Sequence, residues 1–158
     1  MTLYPWLVLI HLIGVIVFAV SHGVSIAMAF WIRGERDPSV VASHLRSSQK
    51  ATLIMYAALA ILVIGGLGAA WTGGLLLAPW VVVSYIVLGI VLVTMWAVAT
   101  PYYVRVRTAL APDPVMGRPT IAEPALAELL ASRRPDVLSS VGGLGLLVLV
   151  SLMVLKPG

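Results

Sequence analysis

Four stretches of this chain, about Tyr4 to Ile32, Thr52 to Trp71, Pro79 to Val104 and Val137 to Leu155, contain no Asp, Glu, Lys or Arg. An apolar run of about 20 residues is what a helix needs to cross a hydrocarbon layer of roughly 30 Å. Inside that layer every backbone amide must find its partner within the protein, which leaves helices as the structures such runs can form. The fold class that follows is all-α: a four-helix transmembrane bundle threaded up-down-up-down as one domain over residues 1–158. With 61% of the residues hydrophobic and 10% charged, there is too little polar surface to keep a core of this size in water.

The polar residues fall between the runs. After Arg33-Gly34-Glu35-Arg36, Asp37-Pro38 has the form of a helix start, because Asp caps free amides and Pro at the first position has no amide to leave unbonded. Val40, Val41, His44 and Leu45 would share one face of a short helix on the membrane surface, before the chain turns inward near Ala51. Thr72-Gly73-Gly74 reads as a tight reversal. Pro101-Tyr102-Tyr103 marks the end of the third run, where proline kinks or stops a helix and tyrosines suit the headgroup region. Residues 109–135, with Pro112, Pro114, Pro119, Pro124 and Pro135, form a loop by composition. Within it Thr120 and Glu123 have capping-box spacing, and Leu126, Leu129 and Leu130 follow at helical intervals, predicting a second short amphipathic helix.

Nine of the ten basic residues sit in the two loops after the first and third runs. By the positive-inside tendency those loops are cytoplasmic, so both termini and the 72–78 hairpin lie outside. The net charge of +4 therefore reads as membrane orientation, and no nucleic-acid partner is assigned. The first run has no basic residues ahead of it and is roughly twice the length of a signal-peptide core, so it is taken as a retained helix. Trp6, Trp71 and Trp80 would anchor the outer interface and Trp31 the inner one, with Trp96 deeper.

Enzyme signatures are sparse. The runs hold no carboxylate pair or proton relay, and the chain has no phosphate loop, dinucleotide fingerprint or Gly-x-Ser-x-Gly elbow. No cysteine is present, which excludes disulfides and thiolate metal sites. No catalytic residue and no metal site is assigned.

The polar chemistry inside the runs rests on two histidines. His11 and His22 are separated by about 20° around a helix and about 16 Å along it, so they share a face at two depths. Either each bonds a neighbour within the bundle, or one or both ligate a haem or related cofactor. Because the other runs hold no histidine, a sulfur partner from Met55, Met95 or Met153, or a second copy of the chain, would complete the ligation. Gly65, Gly66 and Gly68, with Gly142, Gly143 and Gly145, allow close backbone approach. They serve packing within the bundle or docking of another membrane subunit or a second copy.

His11-Leu-Ile-Gly14, the Arg33 to Pro38 loop and Ile64-Gly-Gly-Leu-Gly68 resemble a bacterial family of integral membrane proteins of unknown function, over about residues 3 to 107. That family is similar in layout to the copper-resistance D membrane domain and to four-helix, haem-associated protoporphyrinogen oxidases. The resemblance implies a bacterial inner-membrane location and makes His11 the position where haem would bind. Three functions follow as expectations: a non-catalytic accessory subunit of a membrane complex, a haem- or tetrapyrrole-binding redox protein using His11 and His22, and a carrier of small molecules or metals.

Overall fold

The computed structural model describes residues 3–157, and within them the regular secondary structure is all helical. Helix α1 spans Tyr4–Trp31, α2 Pro38–Thr72, α3 Pro79–Ala109, α4 Glu123–Leu130 and α5 Arg134–Leu155, with a 3-10 turn at Ile32–Gly34 after α1. The four long apolar helices α1, α2, α3 and α5 make this a multi-pass membrane bundle. Their outward faces carry Leu53, Ile64, Trp96 and Leu144 largely exposed, an apolar surface that lipid, not water, must cover.

The helix ends follow local chemistry, with four departures from the sequence-based expectation. Asp37 caps α2 as predicted, accepting from the Ser39 amide at 2.8 Å and the Ser39 hydroxyl at 2.7 Å. Those bonds hold its carboxyl below the usual carboxylate range. From there, however, α2 is unbroken for 35 residues, so the chain does not turn at Ala51. No breaker lies in Ser47-Ser48-Gln49-Lys50-Ala51, and Val41 and Leu45 are buried against the rest of the fold, so the first turns extend the spanning helix. Similarly, α3 passes through Pro101 and stops only at Ala109, held on by burial of Tyr102 and Val106 beyond the proline.

Helix α4 exists, but its cap is Ala122 without a side-chain bond, so the Thr120–Glu123 capping box does not form. Glu123 is instead the first helical residue, with Pro124 behind it in a first turn that has free amides to spare. Helix α5 starts at Arg134, ahead of the expected Val137, with Pro135 and Asp136 in its first turn. In the loop before α4, Asp113 accepts from the amides of Val115 at 2.8 Å and Met116 at 2.9 Å, and Gly117 takes a φ of +67° to close the turn. The two amides depress the Asp113 carboxyl pKa.

The helices pack as two pairs. Helix α1 runs along α2 and α3 along α5, while α1 meets α5 and α2 meets α3 only lightly. Glycines set the closeness of the first pair: a Cβ at Gly14 would lie 2.7 Å from the Leu62 amide nitrogen, and one at Gly65 2.8 Å from that of His11. The pairs are joined at the end that carries loops 32–37 and 110–133. There Ile32, Val41, Leu45, Tyr102, Val106, Leu110, Leu126 and Leu130 form one core, to which α2, α3 and α4 all contribute. Leu126 and Leu130 are wholly buried in it, so α4 is anchored against that end of the bundle.

Beside this core the Arg33 guanidinium donates to both carboxylate oxygens of Asp136, at 2.7 and 2.9 Å, and to the Ser132 carbonyl at 3.0 Å. The pair ties the end of α1 to the start of α5. Its partial exposure limits its worth to about 1 kcal/mol or less. Burial should therefore dominate: Leu130→Ala is expected to destabilise the protein by about 2–5 kcal/mol, and Asp136→Asn by clearly less. Reversible unfolding in mixed micelles measures both, and a larger effect for Asp136→Asn would assign the closure to the ion pair.

Candidate functional site

The weak contact between the helix pairs leaves a cleft with two cavities along the bundle. The one nearer the chain ends, of about 270 Å³, is lined by residues including His11, Tyr4, Trp80, Tyr85, Met153 and Lys156. The one nearer the loop end, of about 450 Å³, is lined by residues including His22, Ser25, Met55, Met95, Tyr103 and Arg107. Phe18, Leu59, Leu88, Leu146 and Leu149 line both, so the two adjoin at an apolar layer drawn from all four long helices.

His11 is held by the α1–α2 contact. Its Nδ1 lies 2.6 Å from the Leu62 carbonyl oxygen, which can only accept, so Nδ1 carries the proton and donates it. In the neutral ring Nε2 then keeps its lone pair. The bond exists because Gly66 leaves space for the ring: a Cβ there would sit 2.8 Å from Nδ1. A backbone carbonyl fixing one ring nitrogen is the arrangement by which proteins orient a metal-ligating histidine, and it is also an ordinary way to satisfy a histidine inside a bundle. Both readings drawn from the sequence meet in one geometry.

His22 is differently placed. It is 8% exposed and stacks on Phe18, one turn earlier, with ring centroids 5.9 Å apart and planes 9° from parallel. Its Nε2 faces the α5 backbone at Gly142, where any Cβ would overlap it. Neither that nitrogen nor the nearby Ser25 hydroxyl has a hydrogen-bond partner among the described residues. The imidazole thus packs as a flat group between α1 and α5, and Nε2 is closed off from an axial ligand. Met55 and Met95 share the His22 cavity; Met153 is the methionine in the cavity of His11.

The glycine positions separate in the same way. Gly65 abuts the His11 backbone, Gly66 the His11 ring and Gly68 the Leu7 side chain, whereas Gly142 abuts His22 and Gly145 Val91. Those five face helices of the same chain. Gly143 faces outward, with nothing within 4 Å of the place a Cβ would take.

Tyr103 and Trp80, expected as interfacial anchors, stand at the two mouths of the cleft with two cations, Arg107 and Lys156, to which the sequence assigned no site role. At the loop end Arg107 lies over the Tyr103 ring, 6.0 Å from its centroid; at the other end Lys156 lies over Trp80 at 5.9 Å. The spacing of Tyr103 and Arg107, one helical turn apart, was a signal available in the sequence. Lys156 and Trp80 are brought together only by the fold.

Comparison with family models, with characterised proteins and with solved structures finds no match to this chain.

The His22–Gly142 contact generates a double-mutant test. Gly142→Ala should destabilise the protein by about 1–3 kcal/mol through overpacking. In a His22→Ala background that effect should shrink by about 1 kcal/mol or more, since contacting residues couple. Strict additivity in thermal unfolding would remove the imidazole from the α1–α5 contact.

Proposed function

We propose that this chain is a non-catalytic membrane protein that holds one amphipathic, lipophilic molecule in the cleft between its helix pairs. The observation that carries this reading is the cavity of about 450 Å³ at the loop end, to which all four long helices contribute. Its size lies within the roughly 300–1,000 Å³ of small-molecule sites, and like them it is mainly apolar with a few polar groups. The small-residue faces give less support to an accessory-subunit role, because Gly65, Gly66, Gly68, Gly142 and Gly145 are taken up within the chain.

A second reading, a tetrapyrrole bound through His11, is favoured by the Leu62 carbonyl that orients the ring. Met153, which lines the same cavity, would supply a sulfur ligand. The donors suit iron, but a cavity of about 270 Å³ is small for a macrocycle, so the pairs would have to part to admit one. Bound haem would supply one-electron chemistry; the chain's own part would be to hold Nε2 in place and exclude water.

One preparation tests both readings. Protein purified from haem-replete cells and stripped of loosely held lipid should retain about one lipophilic molecule per chain by native mass spectrometry, and lose it in Leu88→Trp, which fills the apolar layer. Full retention in that variant, provided it folds, counts against the cleft. A Soret band abolished by His11→Ala would move the assignment to the tetrapyrrole.

We further propose that the loop end faces the cytoplasm of a bacterial inner membrane, with both termini outside. The support is the clustering of nine of the ten basic residues at that end. Alkaline phosphatase fused after Lys156 should then be active and a fluorescent protein fused there dark; the reverse pattern inverts the topology.

A further inference from the structure

The cleft is charged at its mouths and nowhere between. Among the described residues Arg107 is the charged side chain lining the larger cavity and Lys156 that lining the smaller, and no Asp or Glu lines either. Among the described residues the ion pairs are Arg33 with Asp136 and Arg36 with Glu123, so Arg107 has no acidic partner. Its guanidinium lies over the Tyr103 ring, exposed at the rim and without a hydrogen-bond partner among the described residues. Inward from it the walls are apolar, broken by hydroxyls. Thr52 and Ser139 spend theirs on carbonyls of their own helices at 2.8 Å, whereas Ser25 has a buried hydroxyl with no partner.

A cation at the rim, an unpartnered donor deeper in, and then an apolar passage is a sequence that matches one kind of molecule. We propose that the larger cavity takes an anionic phospholipid from the bilayer. Its phosphate sits on Arg107, an ester carbonyl accepts from Ser25, and one hydrocarbon chain runs through the layer of Phe18, Leu59, Leu88, Leu146 and Leu149 toward His11. This rests on the reading of the cleft as a lipophilic-ligand site and names the ligand.

Dimensions agree. Ser25 lies about 9 Å along α1 from the end of that helix, and the two histidine levels are about 16 Å apart, a span that an acyl chain covers. Access agrees as well: beyond the loop-end core the backbones of α2 and α3 stay apart, so a lipid can enter sideways without leaving the membrane. A zwitterionic lipid would bring a second cation toward Arg107, and a neutral one would leave the guanidinium unmatched. Guanidinium pairs with phosphate through two parallel bonds, a geometry that lysine does not reproduce.

The test is native mass spectrometry of the full chain released from mixed micelles containing equal phosphatidylglycerol and phosphatidylethanolamine with identical acyl chains. The expected result is a single tightly held lipid, with phosphatidylglycerol favoured about five-fold. Arg107→Gln should bring that ratio to about one, while Arg105→Gln, which does not line the cleft, should leave it unchanged. Equal binding of the two lipids by the native chain, with loss of both in Leu88→Trp, overturns the anionic headgroup and leaves the cleft reading standing. No retained lipid of either kind overturns both. A preference lost equally in Arg105→Gln and Arg107→Gln marks ordinary attraction of lipid to a basic surface and overturns the proposal.

Discussion

The core at the loop end is the constraint on which the rest of the bundle depends. Long apolar helices in lipid gain little from burying one another, because the acyl chains are as apolar as leucine. Each pair solves this by local means: Gly14, Gly65 and Gly66 bring α1 and α2 into backbone contact, and Gly145 accommodates Val91 between α5 and α3. Between the pairs the close contact is that of Gly142 on α5 with the His22 ring on α1. They are joined where the loops return, by α4 inserting Leu126 and Leu130 beneath Val41, Leu45 and Val106, and by Arg33 reaching Asp136. A bundle joined mainly at one end and glycine-packed mainly within its pairs leaves space along its middle, and that space is the cleft.

How much of this could be read in advance depends on the range of the interaction that decides it. The four spanning helices were legible because lack of charge over about 20 residues has few outcomes. Asp37 was legible as a cap because its bonds reach only two residues. The failures are all tertiary. Nothing near Ala51 or Pro101 in the chain reports that Val41, Leu45, Tyr102 and Val106 will be buried together, and that burial is what extends α2 and α3 past their apolar stretches. Thr120 had the right spacing to cap α4, but Pro124 and the fit of Leu126 into the core put the start at Glu123.

The candidate site divides along the same line. That His11 and His22 share a face followed from helical geometry alone. Their different surroundings did not: one ring is oriented by a carbonyl of α2, the other pressed against a glycine of α5. Met55 and Met95 are sulfur donors that the sequence offers, and they do meet a histidine in one cavity, but it is His22, whose Nε2 is turned to the helix wall. The mouth built by Lys156 with Trp80 emerges only when helix ends from distant parts of the chain are set side by side, whereas Tyr103 and Arg107 stand one turn apart on α3.

The apolar layer has a thermodynamic consequence. Five side chains form the floor of one cavity and the ceiling of the other, so volume gained on one side through a turn of Phe18 or Leu88 is taken from the opposite side. Two occupants, one at His11 and one reaching through the layer from Arg107, would compete for the same space without touching the same polar groups. By reciprocity, each would weaken the other by an equal factor. The bundle would then act as an antagonistic pair of sites, coupled by steric exclusion alone.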